Sequence, residues 1–144
     1  MTAPLAGIRV LEIATFVAGP AAGALLADLG ASVIKLEVPE GELVRHALPR
    51  HNGFKSDFAG SPQFEMENRG KRSLTLDLRN PAAREALSRV ADGVDVVLTN
   101  MLPGRCKKYG IDSATLRGRR PELIYTAVNG YGNGGAEADA PAFD

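Results

Sequence analysis

The chain has no tryptophan and one cysteine, Cys106, which excludes an intrachain disulfide framework and a cysteine-rich metal site. Cys106 sits among Arg105, Lys107 and Lys108, cations that can lower a thiol pKa, yet it reads as a lone surface thiol rather than a nucleophile. Histidine is nearly absent too. His46 and His51 share a polar stretch without metal-pair spacing or triad partners, and both read as solvated loop residues. No charge of one sign is in excess: 17 Lys and Arg face 17 Asp and Glu, so no overall field draws the chain to nucleic acid or to an anionic membrane. There is no secretory-type leader and no apolar run of about 18 residues. With the single cysteine, this points to a cytoplasmic protein without a membrane partner. The dinucleotide fingerprint G-x-G-x-x-G is also missing, which disfavours an NAD-dependent oxidoreductase.

What is present is the composition of a folded soluble domain, with 44% hydrophobic and 24% charged residues in 144. A chain of this length buries roughly 70% of its unfolded surface. Ile8 to Ile13 is an aliphatic run bounded by Gly7 and by Gly19-Pro20, and predicts a buried strand. Pro20 suits a first helical turn, Ala21 to Leu29 continues as a helix, Gly30 stops it, and Val33 to Leu36 is the next strand, ending in Glu37. This is the spacing of a βαβ unit. From Pro39 to about Ser61 the pattern lapses into a long surface excursion. Ser73 to Leu78 predicts a strand, Asn80-Pro81 a helix start for Ala82 to Ala91, and Val94 to Leu98 a strand. Asp112 or Ser113 can cap a short helix toward Arg117, and Leu123 to Val128 gives the last strand. The fold class is therefore α/β, a Rossmann-like, open, mainly parallel sheet with flanking helices, in a single domain over 1–144. Three or so helices are too few to cover both faces of a parallel sheet, so further polypeptide is expected to complete it.

In open α/β sheets ligands collect at the carboxyl ends of the strands. Four segments fall there. Thr15 to Pro20 is either a ligand-facing turn or a plain tight turn, and Glu37 closes the second strand where such folds place a ribose-binding acid. Asn68-Arg69-Gly70-Lys71-Arg72-Ser73 holds three cations in four residues but precedes a strand, so it is no P-loop; it reads as a phosphate contact or as a solvated face. After Asn100 to Gly104 the stretch 105–120 carries six basic residues against one acid, Asp112, a local patch that suits a small polyanion. Gly130 to Gly135 is a backbone-approach loop, a flap or a plain flexible loop.

Read in order, the segments Pro4 to Glu12, Ala18-Gly19-Pro20, Leu26 to Ala31 leading to Val33 to Glu37, Asn68 to Ser73, Asn100 with Pro103-Gly104, and Pro121 to Tyr125 resemble the N-terminal part of the family III CoA-transferases. That family includes formyl-CoA transferase, carnitine CoA-transferase and α-methylacyl-CoA racemase. The resemblance implies coenzyme A or an acyl-CoA as substrate, a carboxylic acid as its counterpart, and no metal. By position it implies that Val17 and Ala18 approach CoA by backbone, that Leu76, Asp77, Leu78 and Arg79 flank it, that Asn100, Met101 and Leu102 line its site, and that Lys108 contacts phosphate. Val38 stands where some relatives carry a phosphate-binding arginine. The family's nucleophile is an aspartate in a Gly-Asp segment downstream of the position matching Asp144, working through a mixed anhydride and aspartyl-CoA thioesters. None of the sixteen glycines here is followed by aspartate, so the nucleophile is absent, Asp144 is a supporting group only, and the isolated chain is expected to be inactive. Racemase relatives use a histidine where this chain has Phe143. Members form interlaced dimers, which implies a homo-oligomer or a complementary chain as partner. An α-methylacyl-CoA racemase-like isomerase and a non-catalytic nucleotide-binding subunit are the alternatives.

Overall fold

The computed structural model describes residues 2–46 and 61–142, so His51, Phe143 and Asp144 lie outside the described residues. Five strands form one sheet: β1 (Arg9–Ile13), β2 (Ser32–Glu37), β3 (Arg72–Thr75), β4 (Val96–Thr99) and β5 (Ile124–Ala127). Their order is β3-β2-β1-β4-β5, and every neighbouring pair is parallel, with Leu11 opposite Ile34 and Val97 in register. The chain steps from β1 outward through β2 and β3, then returns to the other side of β1 for β4. That reversal places a topological switch point between β1 and β4.

Alternation along the strands sends side chains to two helical layers. Leu11, Ile13 and Val97 pack with Leu87, Ala91, Cys106, Leu116 and Leu123 under α4 (Pro81–Asp92), α5 (Pro103–Tyr109) and α6 (Ser113–Arg119). Val10, Val33 and Leu98 face Ala22, Leu26 and Ala27 of α1 (Ala18–Asp28). Residues such as Leu87, wholly removed from water, contribute about 1.5–3 kcal/mol each. The expected caps form: Asn80 accepts from the Ala82 N–H ahead of Pro81, and Asp112 accepts from the Thr115 N–H.

Several expectations need correction. Six helices, not three, occur among the described residues, and both sheet faces carry helical cover. The added ones are α2 (Leu43–His46), α3 (Pro62–Asn68) and α5. Ser61 caps α3 by accepting from the Phe64 N–H, and Pro62 fits its first turn. Gly110, at φ 67°, closes α5 in the left-handed region. β3 stops at Thr75 rather than Leu78, because Asp77 turns the chain: its carboxylate accepts from the Arg79 N–H and its carbonyl from the Asn80 N–H. Cys106 is no surface thiol. It is buried, its Sγ donates to the Met101 carbonyl at 3.3 Å, and burial raises its pKa despite the flanking cations. No helix among the described residues is long and apolar enough to cross a membrane.

Candidate functional site

A cleft of about 210 Å³ opens at the carboxyl ends of β1, β2 and β4, at the switch point. Its walls are Ile13, Ala14 and Thr15 after β1, Leu36 and Val38 at the end of β2, Leu76 and Leu78 beyond β3, and Asn100, Met101 and Leu102 after β4. Glu37, Glu42 and Arg105 are its charged lining residues. Two strand ends are locked to each other here. The Asn100 amide accepts from the Thr15 N–H at 3.0 Å and donates to the Thr15 carbonyl at 2.7 Å, while the Thr99 hydroxyl donates to Ile13 O and accepts from the Met101 N–H. Next to that clamp, Phe16 adopts φ 65°, an uncommon conformation for a residue with a Cβ. Gly19 lets α1 close directly onto β1, since a Cβ there would lie 2.5 Å from the Ala14 Cβ.

On the α1 face of the sheet the strands turn from apolar to charged as they approach the cleft. Lys35 Nζ, 2% exposed, lies 3.0 Å from Glu12 Oε1, 3.1 Å from Glu42 Oε2 and 2.9 Å from the Ala14 carbonyl. Lys71 Nζ reaches Glu12 Oε2 at 2.6 Å and also donates to the Pro20 carbonyl and to Asn68 Oδ1. Arg45 grips Glu37 with two bonds of 2.6 and 2.7 Å and lies 3.8 Å above the Phe64 ring. Burial by itself pushes the Glu37 carboxyl up, but the Arg45 fork and the Glu42 N–H outweigh it, leaving it below the usual glutamate range. Desolvation raises the Glu42 pKa against the pull of Lys35, and lowers that of Lys71 against the pull of Glu12. The network ties α2, α3 and the start of α1 to the floor of the cleft.

One consequence is a pH signature for Glu42. Its folded-state pKa lies above the ordinary value of 4.5, so its contribution to stability is present below that pH and is lost as pH rises through the raised value. Glu42→Gln removes this dependence, so the variant gains on the wild type as pH rises from about 4 to 8. Glu37, shifted down, contributes above 4.5 and loses that contribution in acid, but equally in both proteins. Urea unfolding across this range checks the difference; parallel curves would contradict it.

Of the residues the sequence singled out, Leu76, Leu78, Asn100, Met101 and Leu102 line the cleft. Asn100 lines it while its amide is committed to Thr15. Val17 and Ala18 are exposed at the start of α1, outside the cleft lining, and Asp77 and Arg79 pair with each other at 2.8 Å beside it. Lys108 also stands outside the lining, its Nζ 5.8 Å from the Tyr109 ring centre. The basic run at 69–72 is not a free cation cluster: Arg69 pairs with Asp28, Lys71 is internal, and Arg72 donates to the Ser32 hydroxyl. Glu37 does not offer itself to a ribose, because Arg45 occupies it. His46 is exposed at the end of α2, its Nε2 3.0 Å from the Glu40 carbonyl. Sequence reasoning missed Glu42 at the cleft and Arg45, which holds Glu37 beside it, and it read Arg105 only as part of a basic patch over 105–120. The Pro103-Gly104 start of α5 was the available signal for the helix that carries Arg105, whereas Arg45 lies on α2 and Glu42 directly precedes it.

The family model described as CoA-transferase family III matches residues 5–144. The chain is 42% identical to the "Probable fatty acyl-CoA transferase Rv3272" of Mycobacterium tuberculosis, with 98% of this chain and 35% of that protein aligned. It is 40% identical to the succinate–glutarate CoA-transferase of Agrobacterium fabrum, over 98% of this chain and 36% of that protein. A CAIB/BAIF family protein from Brucella suis has a similar crystal structure, with a TM-score of 0.89, 39% identity and coverage of 100% of this chain and 38% of that one. The chain thus spans about a third of the length of the curated relatives it matches. With the parallel sheet, its switch-point cleft and this match along nearly the whole sequence, the chain belongs to the family III CoA-transferases.

Proposed function

We propose that this chain is the CoA-binding portion of an enzyme that moves CoA between carboxylic acids, with the nucleotide of CoA lodged in the cleft between β1, β2 and β4. The observation that carries the reading is the cleft itself, an apolar slot at the switch point of a parallel sheet, walled by Leu76, Leu78, Asn100, Met101 and Leu102. Aliphatic walls suit the faces of a planar base. The backbone of Val17 and Ala18, the Asp77–Arg79 pair and Lys108 extend the contact surface beyond the slot.

The chemistry of transfer belongs to polypeptide beyond these residues. A carboxylate nucleophile splits acyl exchange into an anhydride step and a thioester step, and the Gly-Asp segment that carries it in the family is not in this sequence. Asp144 is a supporting group in this reading, and a second copy or a complementary chain completes the site. We place the protein in the cytoplasm on its cysteine usage. Phe143, where racemase relatives carry a histidine, weighs against the isomerase reading.

Calorimetric titration of the chain with CoA, beside NAD, tests the proposal. The expected result is saturable CoA binding, no NAD binding and no transferase turnover by this chain alone. A folded sample that binds NAD but not CoA would overturn it.

A further inference from the structure

CoA brings a diphosphate and a ribose phosphate to any site that holds its nucleotide, and such groups favour charge-assisted bonds from arginine. The cleft lining supplies little for them at first sight. Its two carboxylates, Glu37 and Glu42, are matched by Arg45 and Lys35, which are thereby consumed. Val38 on one wall and Leu102 on the other are apolar. The start of α5 offers no anion site either, because the Gly104 N–H already donates to Asp139 Oδ1 at 2.6 Å.

One cation remains. Nearly every described arginine is committed: Arg9 and Arg120 to Asp95, Arg45 to Glu37, Arg69 to Asp28, Arg79 to Asp77, Arg89 to Glu85 and Arg119 to Asp92. Arg72 donates to a hydroxyl and Arg84 to a carbonyl. Arg105 and Arg117 have no side-chain partner among the described residues, and of the two only Arg105 lines the cleft. Its position is set by the backbone, since its N–H donates to the Leu102 carbonyl at 3.0 Å while Asp139 holds the preceding residue. A long exposed side chain on a fixed first turn of α5 thus overhangs an apolar slot.

We propose that the Arg105 guanidinium binds a phosphate of the nucleotide in this cleft, the role that the family resemblance implies for Lys108. This rests on the CoA reading above. It assigns to Arg105 the contact that the wall residue Val38 cannot make.

The test is titration of the full chain and of Arg105→Gln and Lys107→Gln with CoA and with dephospho-CoA, at two salt concentrations. Lys107→Gln removes the same charge from the same helix outside the cleft lining. Arg105→Gln is expected to weaken CoA binding about tenfold and to flatten its salt dependence, with the thermal midpoint unchanged, while Lys107→Gln stays within about twofold. A penalty that vanishes with dephospho-CoA assigns the contact to the ribose phosphate, and one that persists assigns it to the diphosphate. Equal affinities of wild type and Arg105→Gln, or equal losses in both variants, would overturn the Arg105 assignment alone. A folded wild type that binds no CoA would overturn the functional reading and this assignment with it.

Discussion

Lys35→Met is expected to lower the unfolding free energy by about 3–5 kcal/mol, the usual penalty for stranding a buried charge. Lys35 Nζ is the shared partner of two buried carboxylates, Glu12 at 3.0 Å and Glu42 at 3.1 Å. Without it Glu12 keeps Lys71, but Glu42 has no other cation at ion-pair distance among the described residues. The burden should therefore fall on Glu42, which takes up a proton. Two further measurements isolate this cause. Adding Glu42→Gln to Lys35→Met should recover part of the loss at neutral pH, because the amide carries no charge to strand. In acid the single variant should likewise approach the double, as protonation achieves the same neutralisation. Urea unfolding of the wild type and these variants at two pH values decides it; a loss in the single variant below about 1 kcal/mol would show the network to be dispensable.

Gly23→Ala should destabilise the protein by about 2–4 kcal/mol, although the same change in an open helix stabilises by up to about 1 kcal/mol. The reason is the room α1 must leave for the ion pair beneath it. A Cβ at Gly23 would fall 1.9 Å from Glu12 Oε2 and 3.2 Å from Lys71 Cε, so either α1 lifts from β1 or the pair breaks. Gly118 in α6 is the control, because a Cβ there meets nothing within 4 Å and Gly118→Ala should be neutral to stabilising. Opposite signs at the two glycines, read from thermal unfolding, are the expected outcome. Equal signs would mean that α1 accommodates the methyl by a small shift and that the Glu12–Lys71 contact does not set its height.

Both predictions concern residues whose importance the sequence hides. Glu12 and Lys35 interrupt apolar strand runs, where a charged residue ordinarily marks a solvated face. Lys71 sits in a run of cations that reads as a polar surface or a phosphate contact, and it is internal. By contrast, β1, α1 and β2 were legible from the aliphatic runs and from Gly19-Pro20 and Gly30. The starts of α4 and α6 were legible from Asn80-Pro81 and Asp112. α3 and α5 were written in the same language, Ser61-Pro62 and Pro103-Gly104, but the charges around them drew attention to ligands instead.

The site divides in the same way. Leu76 and Leu78 could be named beforehand only through the family resemblance, since the sequence pattern ran a strand on to Leu78, whereas Asn100, Met101 and Leu102 also follow a predicted strand, and strand ends are where parallel sheets gather ligands. Val17, Ala18, Asp77, Arg79 and Lys108 share those stretches of sequence yet lie outside the cleft lining. Strand and helix starts depend on backbone preferences and hydrophobic period among adjacent residues, so the sequence alone determined the α/β layering and the parallel core. Which cations are spent and which remain free depends on carboxylates that are neighbours only after folding. Tertiary structure therefore decided that Lys35, Lys71 and Arg45 are structural, that Cys106 is sealed, and that Arg105 is the cation left facing the cleft.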